Sequence, residues 1–302
     1  MVTSTSTRFP KRTLLLCALL AGVALAVAAC APLTVLNLLV PTTTHEATRD
    51  LAYGEHPRQK LDVYRPLSAS PAAGRGAPIV VFFYGGAWNS GARADYLFAA
   101  EAFASRGLLT VVPDYRLYPE VRYPDFLFDC GKAVAWVVRN AARFGGDPQR
   151  IYLAGHSAGA YNAAMLTYAP AYLAQQGVDA GAIRGFIGLA GPYDFLPLTG
   201  ATTRAVFGFP DTAISTQPIH FVGAANGRRL APALLLTTPD DSTVKPGNSA
   251  RLAQALRAAG ADAREISYPG LDHQRLVGAL AAPLRRLAPL QDDITGFIDA
   301  HP

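Results

Sequence analysis

A serine flanked on each side by a glycine two residues away is the strongest chemical signal in the sequence. The pentapeptide Gly155-His156-Ser157-Ala158-Gly159 follows the apolar run 150–154 and precedes the helix-prone run 160–166. A sharp turn from a strand into a helix needs small residues on both sides, and it lifts the central hydroxyl above the sheet edge. The start of the helix also favours a developing negative charge. The pattern therefore predicts that Ser157 is a nucleophile.

A serine hydroxyl attacks slowly at neutral pH unless a base removes its proton, and that base is normally a histidine oriented by a carboxylate. The sequence has six histidines. Five of them lie in places that do not suit a base. His45 and His56 precede the predicted sheet, His156 lies within the serine turn, and the remaining two are in an irregular segment and near the end of the chain, His220 and His301. His273 remains, in the loop 268–273 after the last predicted strand. We expect His273 to be the general base; the alternative is an ordinary loop histidine.

Three aspartates are candidates for the carboxylate that would orient His273. Asp240 and Asp241 directly follow an apolar run, and Asp194 follows an earlier one. Two adjacent aspartates cannot both face one imidazole, because neighbouring side chains diverge. Asp241 precedes a small turn and an apolar residue that would pack back, Ser242-Thr243-Val244, and this spacing favours Asp241 over Asp240. Asp194 stays as an alternative whose other role would be to cap a turn.

The negative oxygen that forms when a serine attacks a carbonyl group needs backbone N–H donors. Ala158, directly after the nucleophile, would supply one of them. The other would come from the glycine-rich segment 84–88, Tyr-Gly-Gly-Ala-Trp, since glycines let backbone amides approach a ligand closely. We expect Gly86 and Ala87 to donate there, with Gly85 in support.

Apolar runs alternate with helix-like segments along most of the chain. The strand-like runs are 60–64, 79–84, 108–113, 150–154, 185–190, 233–237 and 263–268. The helix-like segments outside the serine turn are 95–105, 126–143, 248–259 and 284–298. This alternation predicts a parallel α/β sheet covered on both faces. The segment from about 194 to 227 breaks the rhythm with three prolines and several aromatic residues, and we expect it to be an insertion that covers a pocket.

Together these motifs resemble the α/β-hydrolase superfamily, and within it the esterase branch with hormone-sensitive-lipase-like, feruloyl-esterase-like and kynurenine-formamidase-like enzymes. The residues that carry the resemblance are 84–88, Asp114-Tyr115-Arg116-Leu117 with Pro119-Glu120, the serine pentapeptide, Asp241-x-x-Val244 and His273. The resemblance extends from about Tyr53 to the C-terminus. It implies the α/β-hydrolase fold: a mostly parallel central sheet, helices on both faces and a small cap-like insertion after the sixth strand. It also implies the chain order serine, acid, histidine.

The resemblance has one departure and leads to one favoured reaction. Tyr84 stands where the family often has a histidine that braces the oxyanion loop. The favoured reaction is hydrolysis of a small-molecule carboxylic ester through the Ser157, Asp241 and His273 set and an acyl-enzyme. The alternatives are amide or formamide hydrolysis, and a non-catalytic membrane-tethered binding protein on a hydrolase scaffold.

Composition excludes several other classes. The chain has 302 residues, half of them hydrophobic and 16% charged, which is enough for one large core. The net charge is +5, but no dense run of Lys and Arg is interleaved with aromatics, so nucleic-acid binding is not expected. The spacing of Cys and His suggests no metal site, and Cys130 is the single cysteine of the globular part. We expect neither a cofactor nor a metal. The oligomeric state is not predictable.

The N-terminus has the features of an export signal. Lys11-Arg12 form a positive region, and the run 14–27 is uncharged and apolar. Val27-Ala28-Ala29-Cys30 resembles a bacterial lipobox, which predicts cleavage before Cys30, lipidation of its thiol and a location on the periplasmic side of a membrane. Apolar character resumes at 33–40, so an uncleaved N-terminal anchor helix is the alternative. We therefore expect a leader over 1–30, a linker over 31–50 and a hydrolase domain over 51–302.

Overall fold

The computed structural model describes residues 32–68, 75–225 and 227–302. One eight-stranded sheet, with the strand order β1-β2-β4-β3-β5-β6-β7-β8, organises this part of the chain. Its strands are β1 His45–Ala52, β2 Lys60–Pro66, β3 Ala77–Phe83, β4 Leu109–Pro113, β5 Gly146–His156, β6 Ile183–Leu189, β7 Ala233–Thr237 and β8 Ala263–Ser267. Strand β2 is antiparallel to β1 and to β4, and every other pairing is parallel.

The helices follow or separate the parallel strands. They are α1 Pro32–Leu38, α2 Leu97–Ala104, α3 Asp125–Asn140, α4 Ala158–Tyr168, α5 Ala171–Ala174, α6 Ala201–Phe207, α7 Pro218–Gly223, α8 Gly247–Ala258, α9 His273–Gly278 and α10 Leu290–Ala300. Every residue of β4 and β7 is buried. Strands become buried on both sides when helices cover both faces of the sheet. The mostly parallel α/β architecture predicted from the alternation of apolar runs is therefore the architecture observed.

Two predicted segments differ from the structure. The expected linker over 31–50 instead contains α1 and most of β1, which pairs with β2 along the sheet edge. Most residues of β1 are exposed, so the strand lacks the alternation of apolar and polar residues that would have identified it. The last helix was predicted from residue 284, but α10 begins at Leu290. Pro289 separates α10 from a short 3₁₀ helix, Ala282–Leu287, and proline does not continue a helix that precedes it.

The insertion between β6 and β7 packs onto the main body through aromatic side chains. It contains α6, a short 3₁₀ helix Ile214–Thr216, and α7. Phe207, at the end of α6, lies with its ring centroid 4.8 Å from that of Trp88 and 5.3 Å from that of Tyr161. The insertion thus covers the sheet edge at which β3 and β5 end.

Four strand ends meet at that same edge, because β3, β5, β7 and β8 all run parallel. The loop after β3 is the glycine-rich segment, and the turn after β5 carries Ser157. Asp241 follows β7, and His273 follows β8. Among the helices described, none is long and apolar enough to cross a membrane.

Candidate active site

The serine turn is as sharp as its glycines predict. Strand β5 ends at His156 and α4 begins at Ala158, so Ser157 is the single residue between them. Its backbone has φ 54° and ψ −122°, a conformation that residues with side chains rarely adopt. A Cβ atom on Gly159 would lie 2.0 Å from the carbonyl oxygen of Phe83. A Cβ on Gly155 would lie 2.4 Å from the carbonyl carbon of Gly159. The two glycines are therefore required by close backbone packing.

Asp241 and His273 form a direct hydrogen bond, in which Nδ1 of the imidazole lies 2.7 Å from Oδ2 of the carboxylate. The other carboxylate oxygen accepts the backbone N–H groups of Thr243 and Val244, each at 2.8 Å. Burial opposes ionisation of Asp241, but the hydrogen bonds from His273, Val244 and Thr243 outweigh it and lower the pKa of the carboxyl. The carboxylate is therefore ionised at neutral pH, and it accepts the hydrogen bond that the Nδ1–H group of His273 donates.

The two other aspartates considered above have different partners. Asp240 is exposed, and its Oδ2 accepts the backbone N–H of Gly270 at 2.9 Å. Asp194 forms an ion pair with Arg251 on α8. The structure therefore brings Asp241, and neither Asp240 nor Asp194, against the His273 imidazole.

His156, the residue before the serine, contacts His273. The ring centroids of His156 and His273 are 4.7 Å apart, and Nε2 of His156 lies 3.1 Å from the carbonyl oxygen of His273. Ser157 and His273 are each slightly exposed, at 9% and 8%. Since the protein itself occupies Nδ1 of His273, Nε2 is the nitrogen left for proton transfer.

The glycine-rich loop after β3 presents unpaired N–H groups beside Ser157. Within the described part of the chain, the backbone N–H groups of Gly86, Ala87 and Ala158 donate to no protein acceptor. Ala87 and Trp88 have φ values of 49° and 60°, a strained arrangement for residues with side chains. Strain of this kind persists where the surroundings impose it.

Contacts of Arg58 and Tyr115 hold this loop. Tyr84 is fully buried, and its hydroxyl accepts a hydrogen bond of 2.7 Å from the Arg58 guanidinium. Arg58 also donates to the carbonyl oxygen of Gly91 at 2.9 Å, at the far end of the loop. Tyr115 stacks on Tyr84, with ring centroids 4.7 Å apart, and donates its hydroxyl to the Tyr84 carbonyl oxygen at 2.9 Å. Tyr84 thus braces the loop by a phenol–guanidinium contact. Arg58 was not identified from the sequence, because it lies 26 residues before Tyr84 in no recognisable motif.

Asp114 and Arg116, which accompany the motif residues, have structural partners. Arg93 donates to Asp62 at 2.8 Å through Nε, and its guanidinium also pairs with Asp114. Arg116 forms an ion pair with the buried carboxylate of Asp129 at 2.8 Å. These ion pairs connect β2, the segment after β4, and α3.

A cavity of about 510 Å³ opens beside Ser157. Ala87 and Trp88 line it on one side, and Phe195 and Leu196 of the insertion line it on another. Its lining also contains the charged residues Asp194, Lys245 and Arg251. Among the described residues, no group of three or more His, Cys, Asp or Glu side chains is arranged to hold a metal ion.

Comparisons with known proteins show the family and the fold of the chain. The BD-FAE family profile matches residues 61–256. The isoprenylcysteine alpha-carbonyl methylesterase of Arabidopsis thaliana is 31% identical over 277 residues, which are 85% of this chain and 63% of that protein. The first five curated relatives are matched over 53% to 63% of their length, so the chain spans less than two thirds of these relatives.

Solved esterase structures have the same fold. Esterase B from Lactobacillus rhamnosis superposes with a TM-score of 0.75 at 19% identity, covering 94% of this chain and 95% of that one. Thermogutta terrifontis esterase 2 superposes with a TM-score of 0.67 at 25% identity, covering 85% of this chain and 96% of that one. The open, mostly parallel sheet is therefore that of an α/β-hydrolase.

Proposed function

Because the chain belongs to the BD-FAE family of carboxylesterase-type α/β-hydrolases, we propose that it is a serine hydrolase that cleaves carboxylic esters. The observation that carries the proposal is the 2.7 Å hydrogen bond between Asp241 and His273 at the sheet edge where Ser157 also lies. An ionised carboxylate that holds an imidazole beside a serine turn is the arrangement that activates a hydroxyl for attack.

In the acylation step, Nε2 of His273 takes the proton from the Ser157 hydroxyl as its oxygen attacks the ester carbonyl carbon. Asp241 stabilises the imidazolium that forms. The N–H groups of Gly86, Ala87 and Ala158 donate to the oxyanion. The imidazolium then gives its proton to the leaving alcohol as the C–O bond breaks, and Ser157 is left acylated.

Deacylation repeats these steps with water as the nucleophile. His273 takes a proton from water, the hydroxide oxygen bonds to the acyl carbon, and the same N–H donors stabilise the second oxyanion. Collapse of this intermediate returns the proton to the oxygen of Ser157 and releases the carboxylic acid. Every proton taken by His273 is given back, so the residues return to their starting state.

The cavity indicates the kind of ester that fits. Trp88, Phe195 and Leu196 provide an apolar wall next to Ser157, and a volume of about 510 Å³ suits a small ester with an apolar acyl group. The Arabidopsis relative is named a methylesterase, which is consistent with a small group on one side of the ester bond.

The test compares purified wild type with Ser157→Ala and with Ser242→Ala, whose exposed hydroxyl is the control. Wild type and Ser242→Ala should hydrolyse p-nitrophenyl acetate and react with a fluorophosphonate probe. Ser157→Ala should do neither while keeping its circular dichroism spectrum. Hydrolysis of p-nitroacetanilide in preference to the ester would point instead to an amidase. Wild type that neither hydrolyses an ester nor labels would overturn the proposal in favour of a binding protein.

We also propose that the protein is exported and held at a membrane through lipidated Cys30. The support is the order of the positive, apolar and small-residue regions in 1–30; this leader and Cys30 lie outside the described residues. Mass spectrometry of the membrane-extracted protein should find a lipid-modified Cys30 as the first residue. A chain that retains Met1 would contradict this proposal and favour an uncleaved anchor.

A further inference from the structure

The imidazole of His156 lies inside the serine turn with both ring nitrogens hydrogen-bonded. Its Nδ1 is 3.1 Å from the Tyr96 hydroxyl oxygen, and its Nε2 is 3.1 Å from the carbonyl oxygen of His273. The side chain is 5% exposed. Tyr96 ends the 3₁₀ helix Arg93–Tyr96, so the contacts of one imidazole join segments that are distant in sequence.

The acceptors fix the direction of each hydrogen bond. A carbonyl oxygen only accepts, so Nε2 of His156 carries the proton and donates it to His273. Nδ1 is then an acceptor, and the Tyr96 hydroxyl donates to it. The Tyr96 oxygen in turn accepts the backbone N–H of Gly85 at 3.3 Å. A continuous series of hydrogen bonds therefore runs from Gly85 in the oxyanion loop, through Tyr96 and His156, to the backbone of His273.

This arrangement needs a neutral imidazole, because protonation would remove the acceptor at Nδ1. Burial, and secondly the neighbouring His273, lower the pKa of His156 to about 3. His156 therefore keeps one donor and one acceptor throughout the neutral pH range.

We propose that His156 and Tyr96 are positioning residues that hold the general base and the oxyanion loop in register with the nucleophile. The inference rests on the proposed ester hydrolysis. The loop that carries His273 forms other hydrogen bonds with the segment that carries Asp241. Asp240 accepts the backbone N–H of Gly270, and the Thr238 hydroxyl donates to the Leu271 carbonyl oxygen at 2.6 Å. The His156 contact joins the backbone of the base directly to the turn that carries Ser157.

Two substitutions at His156 separate its two hydrogen bonds. The amide nitrogen of glutamine replaces Nε2, so His156→Gln keeps the donor to the His273 carbonyl. The amide of asparagine replaces Nδ1, so His156→Asn keeps a partner for Tyr96 and loses the donor to His273. Tyr96→Phe removes the hydroxyl and leaves the imidazole in place.

We expect His156→Asn to lower kcat by about ten-fold or more at nearly constant KM, since small displacements of catalytic groups have effects of this size. His156→Gln should stay within about three-fold of wild type, because its donor to the base is retained. Tyr96→Phe should lower kcat in the wild-type background and have a smaller effect in the His156→Asn background, because the two groups act in one series.

Rates are divided by the number of active sites, counted by complete labelling with a fluorophosphonate. The pH dependence of kcat/KM should shift in His156→Asn more than in His156→Gln, because the environment of His273 changes. Equal kcat per active site in both His156 variants would overturn the inference and leave ester hydrolysis intact. If neither variant folds, Tyr96→Phe decides, and an unchanged kcat there overturns the inference. Inactive wild type would instead overturn the proposed function.

Discussion

The adjacent carboxylates Asp240 and Asp241 have different hydrogen-bond partners, so we expect their substitution to have different effects on kcat. Asp241 orients the imidazole of His273, whereas exposed Asp240 accepts a backbone N–H of the same loop. We expect Asp241→Asn to lower kcat by about three to four orders of magnitude, because an amide leaves the imidazole in the wrong tautomer and without a countercharge. Asp240→Asn, the matched control, should change kcat by less than about ten-fold. Steady-state kinetics on one ester compares them; similar losses in both variants would contradict the assignment.

His156 should also make the free energy of unfolding depend on pH, and its pKa determines the direction of this dependence. The pKa is lowered to about 3 in the folded protein, from an ordinary value of 6.5. Between these values the unfolded chain binds a proton that the folded chain does not, so stability falls as pH decreases from 6.5 toward 3. One such proton contributes a slope of up to about 1.4 kcal/mol per pH unit.

The variant His156→Gln lacks this titration and should lose stability less steeply between pH 6.5 and 4. Urea unfolding at several pH values, followed by tryptophan fluorescence, measures the two slopes. Every other titrating group contributes to both proteins, so the difference between the slopes isolates His156. Parallel slopes would mean that the imidazole of the folded wild type is protonated over this range.

Individual functional residues could be predicted from the sequence where a short motif contains them, and they could not be predicted where no motif does. The glycines around Ser157 are required within five residues of chain, and the turn was therefore predictable. Arg58 and Tyr96 act across 26 and 60 residues, on Tyr84 and His156 respectively. Their roles depend on which side chains the folded sheet brings together, and no spacing in the sequence encodes that.

Secondary-structure elements were predictable where both of their faces are buried. Strand β7 occupies the predicted run 233–237, because four of its five residues are apolar and all five are buried. Strand β1 was missed because it lies at the sheet edge, where one neighbour supplies its hydrogen bonds and most of its side chains face solvent. Periodicity reports burial, so it identifies exposed edge strands poorly.

The insertion between β6 and β7 should set which acyl groups fit. Phe195 lines the cavity beside Ser157, and Phe209 belongs to the same insertion but is 55% exposed. Phe195→Ala should enlarge the cavity and raise kcat/KM for hexanoate relative to acetate esters by at least about ten-fold, since even one methylene bound in an apolar pocket contributes about ten-fold or more. Phe209→Ala, the control, should leave the ratio unchanged.

A graded series of p-nitrophenyl esters, from acetate to octanoate, measures the preference of each variant. If Phe209→Ala changes the chain-length profile as much as Phe195→Ala does, the insertion acts through its mobility rather than through the cavity wall. An unchanged profile in Phe195→Ala would place the acyl group elsewhere.

At the scale of the molecule, the sheet divides into a catalytic half and a supporting half. Ser157, Asp241 and His273, the proposed nucleophile, acid and base, follow β5, β7 and β8, and β1 and β2 lie at the opposite side of the sheet. The glycine-rich loop follows β3 in the middle of the sheet, and Arg93, in the 3₁₀ helix after this loop, forms ion pairs with Asp62 of β2 and Asp50 of β1. Damage to the supporting edge should therefore reduce stability before it changes the chemistry.

Removing α1 and β1 tests this division. A chain of residues 53–302 would expose the edge of β2, whose Leu61 and Val63 are buried, and would lose the backbone ladder to β1. Each lost hydrogen bond costs about 0.5–1.5 kcal/mol, and an unpaired strand edge promotes association.

Compared with residues 31–302, the shorter chain should unfold at lower urea concentration and elute partly as oligomers. Its kcat per fluorophosphonate-labelled site should change by less than about three-fold, because β5, β7 and β8 keep their neighbours. A shorter chain of unchanged stability would show that β1 is dispensable, and one with normal stability but low kcat would show that the supporting edge positions the catalytic residues.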